Sequence, residues 1–560
     1  MQEIDPTIVP SSELQPRGSS LFRRFVYVYF ALLALLLLAL IPPFVSVNRY
    51  QRRIATSISG SLGRPVHLDN VTLSLLPLPG FTLENLVVGE DPAFGSEPVI
   101  RANSVRATLR MSSLWRKRVE FSTISFTEPS VNLVHLPNGK WNLESILLQA
   151  ARIEAAPTAQ QKAGAAPRFP YIEATGARLN LKLGDEKTPL SLTDAEFALW
   201  LQNPQEWRLR LQARPIRTDT NVSDAGTLQL EGTLGHAAAL GEVPIKLQGV
   251  WKNAPLGEAS RVLLGRDMGW RGEMTLSATV SGTVGQSAIQ TRLRLNEARR
   301  ADFVPERRLA VDMECQGTAA AMFHSFENIR CSWPPAGSSD VQTVAISGTI
   351  PDVRRLSSAS VQVGTAGIPA STLLDWLRVF SPRVPENLTA AGKLTGSFSY
   401  QPGARERWSG EMLLAGADLH GSKAGTASLL EGDVVAGWLP VPAADGHRAR
   451  RAAVSLPAAG FVLAPVSLAL GGKDPAVLEG RFDADGYTLH LSGMASYARL
   501  MALAEALPQL GDGLVDVLPT NRAAGPFRID LTATREWGGL QVWRDTSARP
   551  GGTARRKAHL

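Results

Sequence analysis

Catalysis needs reactive side chains held together, and this 560-residue chain scatters them. Its eight histidines are His67, His135, His236, His324, His420, His447, His490 and His559. None forms a His-Glu-x-x-His or His-x-His pattern, spacings that put two imidazoles where one metal ion can take both. A Gly-x-Ser-x-Gly elbow for a nucleophilic serine is absent. Gly471-Gly472-Lys473 lacks the hydroxyl residue and the glycine spacing of a phosphate-binding loop. Glu505, Asp512 and Asp516 are near in sequence and read as solvated charges at a helix end. The expectation is no catalytic residue, no cofactor, no metal site and no enzyme. The two cysteines, Cys315 and Cys331, each sit in a strand-like run. Antiparallel neighbours would join them as a disulfide in an oxidising compartment; two separate buried thiols are the equal alternative.

With no reactive constellation to position, the elements themselves carry the reading. Hydrophobic residues are 44% and charged residues 19%, so the chain can bury a core and is not disordered as a whole. Lys plus Arg is 58 against 51 acidic, a net charge of +7. That mild excess suits an anionic membrane surface. It lacks the clustered basic patch of a nucleic-acid binder, so no nucleic-acid partner is expected.

One segment is built for lipid. Phe25 to Val45 (FVYVYFALLALLLLALIPPFV) carries no charge and is long enough to cross a bilayer core. Tyr27 and Tyr29 sit at one edge, where amphipathic rings favour the interface. Pro42-Pro43 follows instead of a small-residue cleavage site, which favours an uncleaved signal anchor over a cleaved signal peptide. Arg17, Arg23 and Arg24 before it balance Arg49, Arg52 and Arg53 after it. Local charge therefore ties. The short leading tail favours a cytoplasmic N-terminus, with the bulk translocated.

After residue 60 the pattern is period 2. Val105, Ala107, Leu109 and Met111 alternate with polar residues, as do Trp207, Leu209, Leu211 and Ala213. Leu276, Ala278 and Val280 repeat the pattern, and so do Phe527, Ile529 and Leu531. Such strands have one apolar and one wet face, the habit of antiparallel sheet. The fold class expected is mainly β with short helices: an N-terminal transmembrane helix, then an elongated, curved antiparallel sheet with capping helices. A closed sandwich or barrel core would show the same alternation.

Three stretches repeat at coarse scale: EGTLGHAAAL from Glu231, SGTIPDVRRL from Ser347 and EGRFDADGYTL from Glu479. Each leads to a second strand, a short amphipathic helix and another strand. The expected organisation is a tail at 1–24, the anchor at 25–45, an N-terminal β region at 48–215 with a flexible loop at 150–167, three repeats at 216–340, 341–440 and 441–545, and a basic tail at 546–560.

Residues 60–147 carry a family resemblance. The pieces are the Gly63-Arg64-Pro65-Val66 strand, the hairpin from Pro77 to Phe81, EDPAFG at Glu90 to Gly95, Ser113-Leu114-Trp115, the EPSVNL strand from Glu128, and Gly139-Lys140-Trp141-Asn142. In this order, behind a membrane anchor, they resemble the N-terminal region of the AsmA family, and the strand from Phe169 resembles that family's next strand pair. Trp141 reads as the packing anchor of a turn that opens a short helix at Glu144. The repeats are similar to AsmA-like C-terminal repeats, with weaker motifs.

The resemblance implies a single-pass protein of the bacterial inner membrane, N-terminus cytoplasmic and bulk in the periplasm, with a repeating β-groove that moves phospholipid and supports outer-membrane biogenesis. The groove-lining candidates are then Val105, Ala107, Leu109, Met111, Trp207, Leu209, Leu211, Leu276, Ala278, Val280, Phe527, Ile529 and Leu531. Expected partners are phospholipid, the inner membrane and outer-membrane or envelope proteins. The alternative is a scaffold or assembly factor that helps outer-membrane proteins insert and carries no lipid.

Overall fold

A computed structural model describes residues 19–40, 48–74, 78–114, 120–136, 141–142, 170–183, 189–203, 206–335 without 238, 343–437 without 354, 382–383, 385, 387, 403–407 and 422–427, 461–506 without 483–485, and 525–536. Residues 1–18 of the leading tail, the basic tail at 546–560, residues 41–45 of the expected span, the loop at 150–167, the turn at 137–139 and the helix start at Glu144 lie outside them.

Every described strand belongs to one 24-stranded sheet. At its first edge β1 (Val66–His67) and β2 (Asn70–Ser74) pair with the two ends of β3 (Gly80–Val88). Next comes β4 (Ile100–Leu109), and then β5 (Phe121–Thr127) and β6 (Ser130–His135), which together form one bent line. The bend is at Glu128, φ 48°, followed by Pro129. Both halves run parallel to β7 (Tyr171–Leu183). The sheet is therefore mixed, where the alternation predicts antiparallel pairing throughout. Residues 136–170 supply the reason: a connection that long can return the chain to its starting edge, which a hairpin cannot. From β7 to β24 (Phe527–Glu536) each strand pairs antiparallel with the next.

Bulges interrupt most of these ladders. Gly176, Asp194, Asn253, Gly272 and Glu297 all have positive φ and sit at or beside register shifts from β7 to β13 (Gln286–Arg300). An extra residue in one strand raises the local right-handed twist. Twist of about 20–25° per step adds up to roughly half a turn over eight steps. Accordingly the end of β6 meets the turn between β14 (Leu309–Ala320) and β15 (Ser325–Trp333): the His135 and His324 rings lie 5.6 Å apart.

Six α-helices accompany the sheet among the described residues. The first, α1 (Ser19–Leu40), holds the apolar run. Among the described residues no helix is long and apolar enough to cross a membrane. The second, α2 (Asn48–Leu62), lays Ile54, Ala55 and Ile58 on Leu68, Val71, Leu83 and Val105. A four-residue turn, α3 (Met111–Leu114), follows β4. The remaining three, α4 (Leu256–Leu264), α5 (Ala370–Phe380) and α6 (Tyr497–Ala506), follow β11 (Pro244–Pro255), β17 (Ser360–Pro369) and β23 (Gly486–Ala495). Six strands separate one helix from the next, so all three stand on the same rim of the sheet. They form a linked series: Val379 of α5 joins the cluster of Ala259 and Val262 on α4, and Leu374 of α5 clusters with Ala502 of α6.

The three repeated phrases share a structural glycine. A Cβ at Gly232 or Gly348 would collide with the carbonyl oxygen of Lys246 or Ser360, and at Gly480 with the Leu489 side chain. At Gly232 and Gly348 the backbone of the next strand leaves room only for hydrogen, whereas at Gly480 the obstacle is a side chain that can turn aside.

A buried polar network locks the N-terminal region. Arg64 is 5% exposed; its Nη1 lies 3.4 Å from the Glu90 carboxylate and its Nη2 donates to the Asn142 carbonyl at 3.3 Å. Asn142, fully buried, accepts from the Val134 N–H at 3.0 Å and donates to Glu90 at 2.6 Å and to the Asn132 carbonyl at 2.8 Å. Asn180 donates to Asn132 Oδ1 at 3.0 Å and accepts from the Ser191 hydroxyl at 2.9 Å. Four of the six phrases of residues 60–147 thus converge on one cluster, through Arg64, Glu90, Asn132 and Asn142. Asn142 is its anchor, whereas Trp141 is 37% exposed and tilts against His135 at 4.6 Å. An asparagine can satisfy several backbone and carboxylate partners at once, which an indole with a single donor cannot.

Candidate functional site: the apolar face

Strand register carries one line of side chains across the sheet. From β2 it runs Val71, Leu83, Val105, Phe126, Ala174, Phe197, Leu211, Leu230 and Gly249. It continues through Ala278, Thr291, Cys315, Cys331, Ile346, Val363, Phe398 and Gly410. Only Thr291 carries a hydroxyl, and no member titrates in the bonded state. A second line runs beside it through Ala107, Ile124, Ile172, Leu199, Leu209, Gly232, Leu247, Val280 and Ile289.

The candidate residues can now be placed. Val105 and Leu211 are on the first line, as is Ala278; Ala107, Leu209 and Val280 are on the second. Trp207 pairs with Leu234 on a third, and Leu276 lies opposite Trp251 and Leu293. Leu109 is buried at the end of β4. Met111 departs from this face: it lies in α3 and is 50% exposed. The strand ends at Leu109, so the alternation that links Met111 to it in sequence has no structural continuation. Phe527, Ile529 and Leu531 lie on β24, where Leu531 faces Leu491 and Ile529 faces Gly493.

Burial divides the face. In the N-terminal part Val71, Leu83, Val105, Ala174 and Leu211 are buried, with Phe126 and Phe197 half-buried among them. From Leu230 onward each member of the first line is only half-buried. A closed sandwich core would bury these positions fully. Helices cover the face at both ends. At one end α2 lies on it, and at the other Leu500 and Leu503 of α6 pack on Val466, Leu478, Leu491 and Ile529. Along the rim, α4 packs on Trp251, Ala254 and Met274, and the Trp251 indole donates to the Ala225 carbonyl at 2.7 Å.

The Cys315–Cys331 disulfide is part of the same surface. The two residues face each other across β14 and β15, Cα atoms 3.9 Å apart, with Thr291 and Ile346 as outer neighbours.

Among the described residues of the strands after β8 (Leu190–Asn203), charged side chains lie on the other face and on the rim. Arg208, Arg210 and Arg214 point outward from β9 (Glu206–Arg217) and are exposed. Arg292 donates two hydrogen bonds to Asp312, at 2.7 and 2.6 Å, and the guanidinium holds the Asp312 carboxyl below its usual range. On the rim Asp267 takes bonds from Arg271 and from the Gly269 N–H, and its pKa is lowered by Arg271 first. Among the described residues no group of three or more His, Cys, Asp and Glu could hold a metal ion.

The alternation makes further lining residues visible in sequence, as in TLQLEGTL from Thr227 and IKLQGVW from Ile245. Across the ladders that join β8 to β7 and to β9 it fails, because bulges shift the register there. No curated protein and no solved structure matches the chain. A family match covers the apolar run of α1, Arg64, Glu90, Asn132 and Asn142, and the first strands: residues 22–173 match the AsmA family, so that stretch of the chain is similar to that family.

Proposed function

We propose that the protein is a membrane-anchored carrier whose open apolar face holds phospholipid acyl chains, acting in phospholipid transfer and outer-membrane biogenesis. The half-buried line from Leu230 to Phe398 carries the reading. An aliphatic and aromatic strip left accessible on one side of a sheet offers acyl chains a place to leave water, while headgroups stay at the edge. Each CH₂ covered contributes about 0.8 kcal/mol. At about 4.8 Å per strand, the stretch from β10 (Thr227–Gly235) to β20 (Leu430–Gly437) runs about 50 Å. No titratable or metal chemistry is needed along it.

The AsmA-family region supports placement in the bacterial inner membrane with the bulk in the periplasm. So does the apolar run of α1, whose Phe25, Tyr27, Tyr29 and Phe30 are exposed and fit a lipid surrounding. A disulfide is at home in an oxidising compartment.

The test is lipid extraction and native mass spectrometry on the full-length chain purified in mild detergent. Wild type is expected to retain phospholipid. Leu247→Glu and Ile346→Glu, on the open face, should lose it, while Lys246→Glu, one residue away on the wet face, should keep it. Circular dichroism and melting controls confirm folding of each variant. A wild-type protein free of lipid, also after incubation with phospholipid vesicles, would sink the proposal and favour the scaffold alternative.

A further inference from the structure

The β14–β15 turn has an unusual build. Ala321, Met322 and Phe323 have φ of 50°, 56° and 66°, three consecutive left-handed residues. Such a conformation disfavours any side chain with a Cβ. The turn delivers His324 beside His135 of β6, eight strand positions away, with ring centroids 5.6 Å apart and planes at 47°. The Nδ1 of His324 is 2.7 Å from the Ala321 carbonyl oxygen. Nδ1 must donate there, so Nε2 carries the lone pair. This Nε2 is buried and has no hydrogen-bond partner among the described residues.

We propose that His135 and His324 form a two-imidazole site for a divalent transition-metal ion of the zinc type, which clasps the end of β6 to the β14–β15 turn. Metal-bound imidazoles characteristically donate their second ring nitrogen to a backbone carbonyl or carboxylate, which fixes the tautomer and raises ligand basicity. His324 has that arrangement already. Two imidazoles sharing an ion at about 2.0–2.1 Å have ring centroids roughly 5–6 Å apart, and the observed spacing falls in that interval. A buried lone pair without a donor is destabilising, and a cation supplies what it lacks. Imidazole suits Zn²⁺, Ni²⁺ and Cu²⁺ and not the hard ions Mg²⁺ and Ca²⁺. Water completes the coordination sphere. Since the clasp joins two strands distant in the sheet, metal binding stiffens the coil between them.

The experiment is titration calorimetry of the full-length, detergent-solubilised chain with ZnCl₂ after chelator treatment, followed by thermal melts with and without Zn²⁺. One ion per chain is expected. His135→Gln and His324→Gln should each weaken binding at least tenfold and abolish the Zn²⁺-dependent rise in melting temperature. His490→Gln, a histidine occupied by Glu479 and Asp530, should leave both unchanged. Melts in chelator establish that the variants fold. Absence of binding to wild type, or binding that survives both substitutions, overturns the proposal. Mg²⁺ competing at similar concentration would also overturn it.

Discussion

The N-terminal region and the strands that follow it share one sheet but solve opposite problems. In the first, α2 covers the apolar residues of β2 to β4, and a buried polar network of Arg64, Glu90, Asn132 and Asn142 fastens the strands. In the second, the same line of side chains stays half-open, and stability comes from ladders, rim helices and one disulfide. A sheet that leaves one face open loses the hydrophobic gain of a second layer. It must hold its shape through neighbours, as repeat architectures do. The closed part therefore behaves as a base from which the open part extends.

The sharpest way to break this contrast is to attack the base. Removing Arg64 leaves Glu90, 2% exposed, as an uncompensated buried charge. Loss of one partner of a buried pair costs about 3–5 kcal/mol. Arg64→Met should accordingly raise amide exchange across β1 to β8 (Leu190–Asn203) and leave β10 to β20 near wild-type values, as read by hydrogen exchange with mass spectrometry. Equal loosening of both regions would show that the sheet unfolds as one unit.

A smaller effect is expected inside the open part. The disulfide closes a loop with a sequence separation of 16. The chain-entropy estimate for a loop of that size is about 3 kcal/mol. Replacing both Cys315 and Cys331 with Ser should lower stability by about that amount, seen in denaturant melts, and also put two hydroxyls on the apolar line. If lipid retention falls while the double Cys→Ala variant keeps it, the polarity of the surface matters apart from its stability.

The contrast also explains what was legible in the sequence. Period-2 alternation exposes a mainly β chain because each strand has one wet face, and that holds in both regions. It cannot tell an open face from a closed one, since half-burial and full burial leave the same pattern. Pairing partners are visible where hairpins are short and invisible where a long crossover makes β6 and β7 parallel. Asn142 is hidden because an asparagine beside a tryptophan reads as a helix start, and only the fold brings Arg64 and Glu90 to it. The His135–His324 contact depends on twist accumulated over eight strands, which no local pattern encodes. For Cys315 and Cys331 sequence leaves two readings equal, and strand adjacency selects the bonded one.

The smallest expected effect sharpens the contrast at the far end of the sheet. His490 lies between Asp530 and Glu479, each 2.9 Å from a ring nitrogen, on the wet face of β22 (Ala476–Phe482), β23 and β24. Asp530 first and Glu479 second raise its pKa above 6.5 against the opposing effect of burial. A raised histidine pKa stabilises the fold fully below the unfolded-state value, and this contribution disappears as pH rises through the higher folded value. The stability gap between wild type and His490→Gln should then be largest at mildly acidic pH and shrink on going alkaline. The ring is about one-third exposed, so solvent screening keeps the effect modest. Hydrogen exchange at two pH values, corrected for intrinsic rates, should show the change in β22 to β24 alone. A change spread back into the N-terminal region would mean that the two ends communicate through the open sheet, and the picture of an independent base would have to be given up.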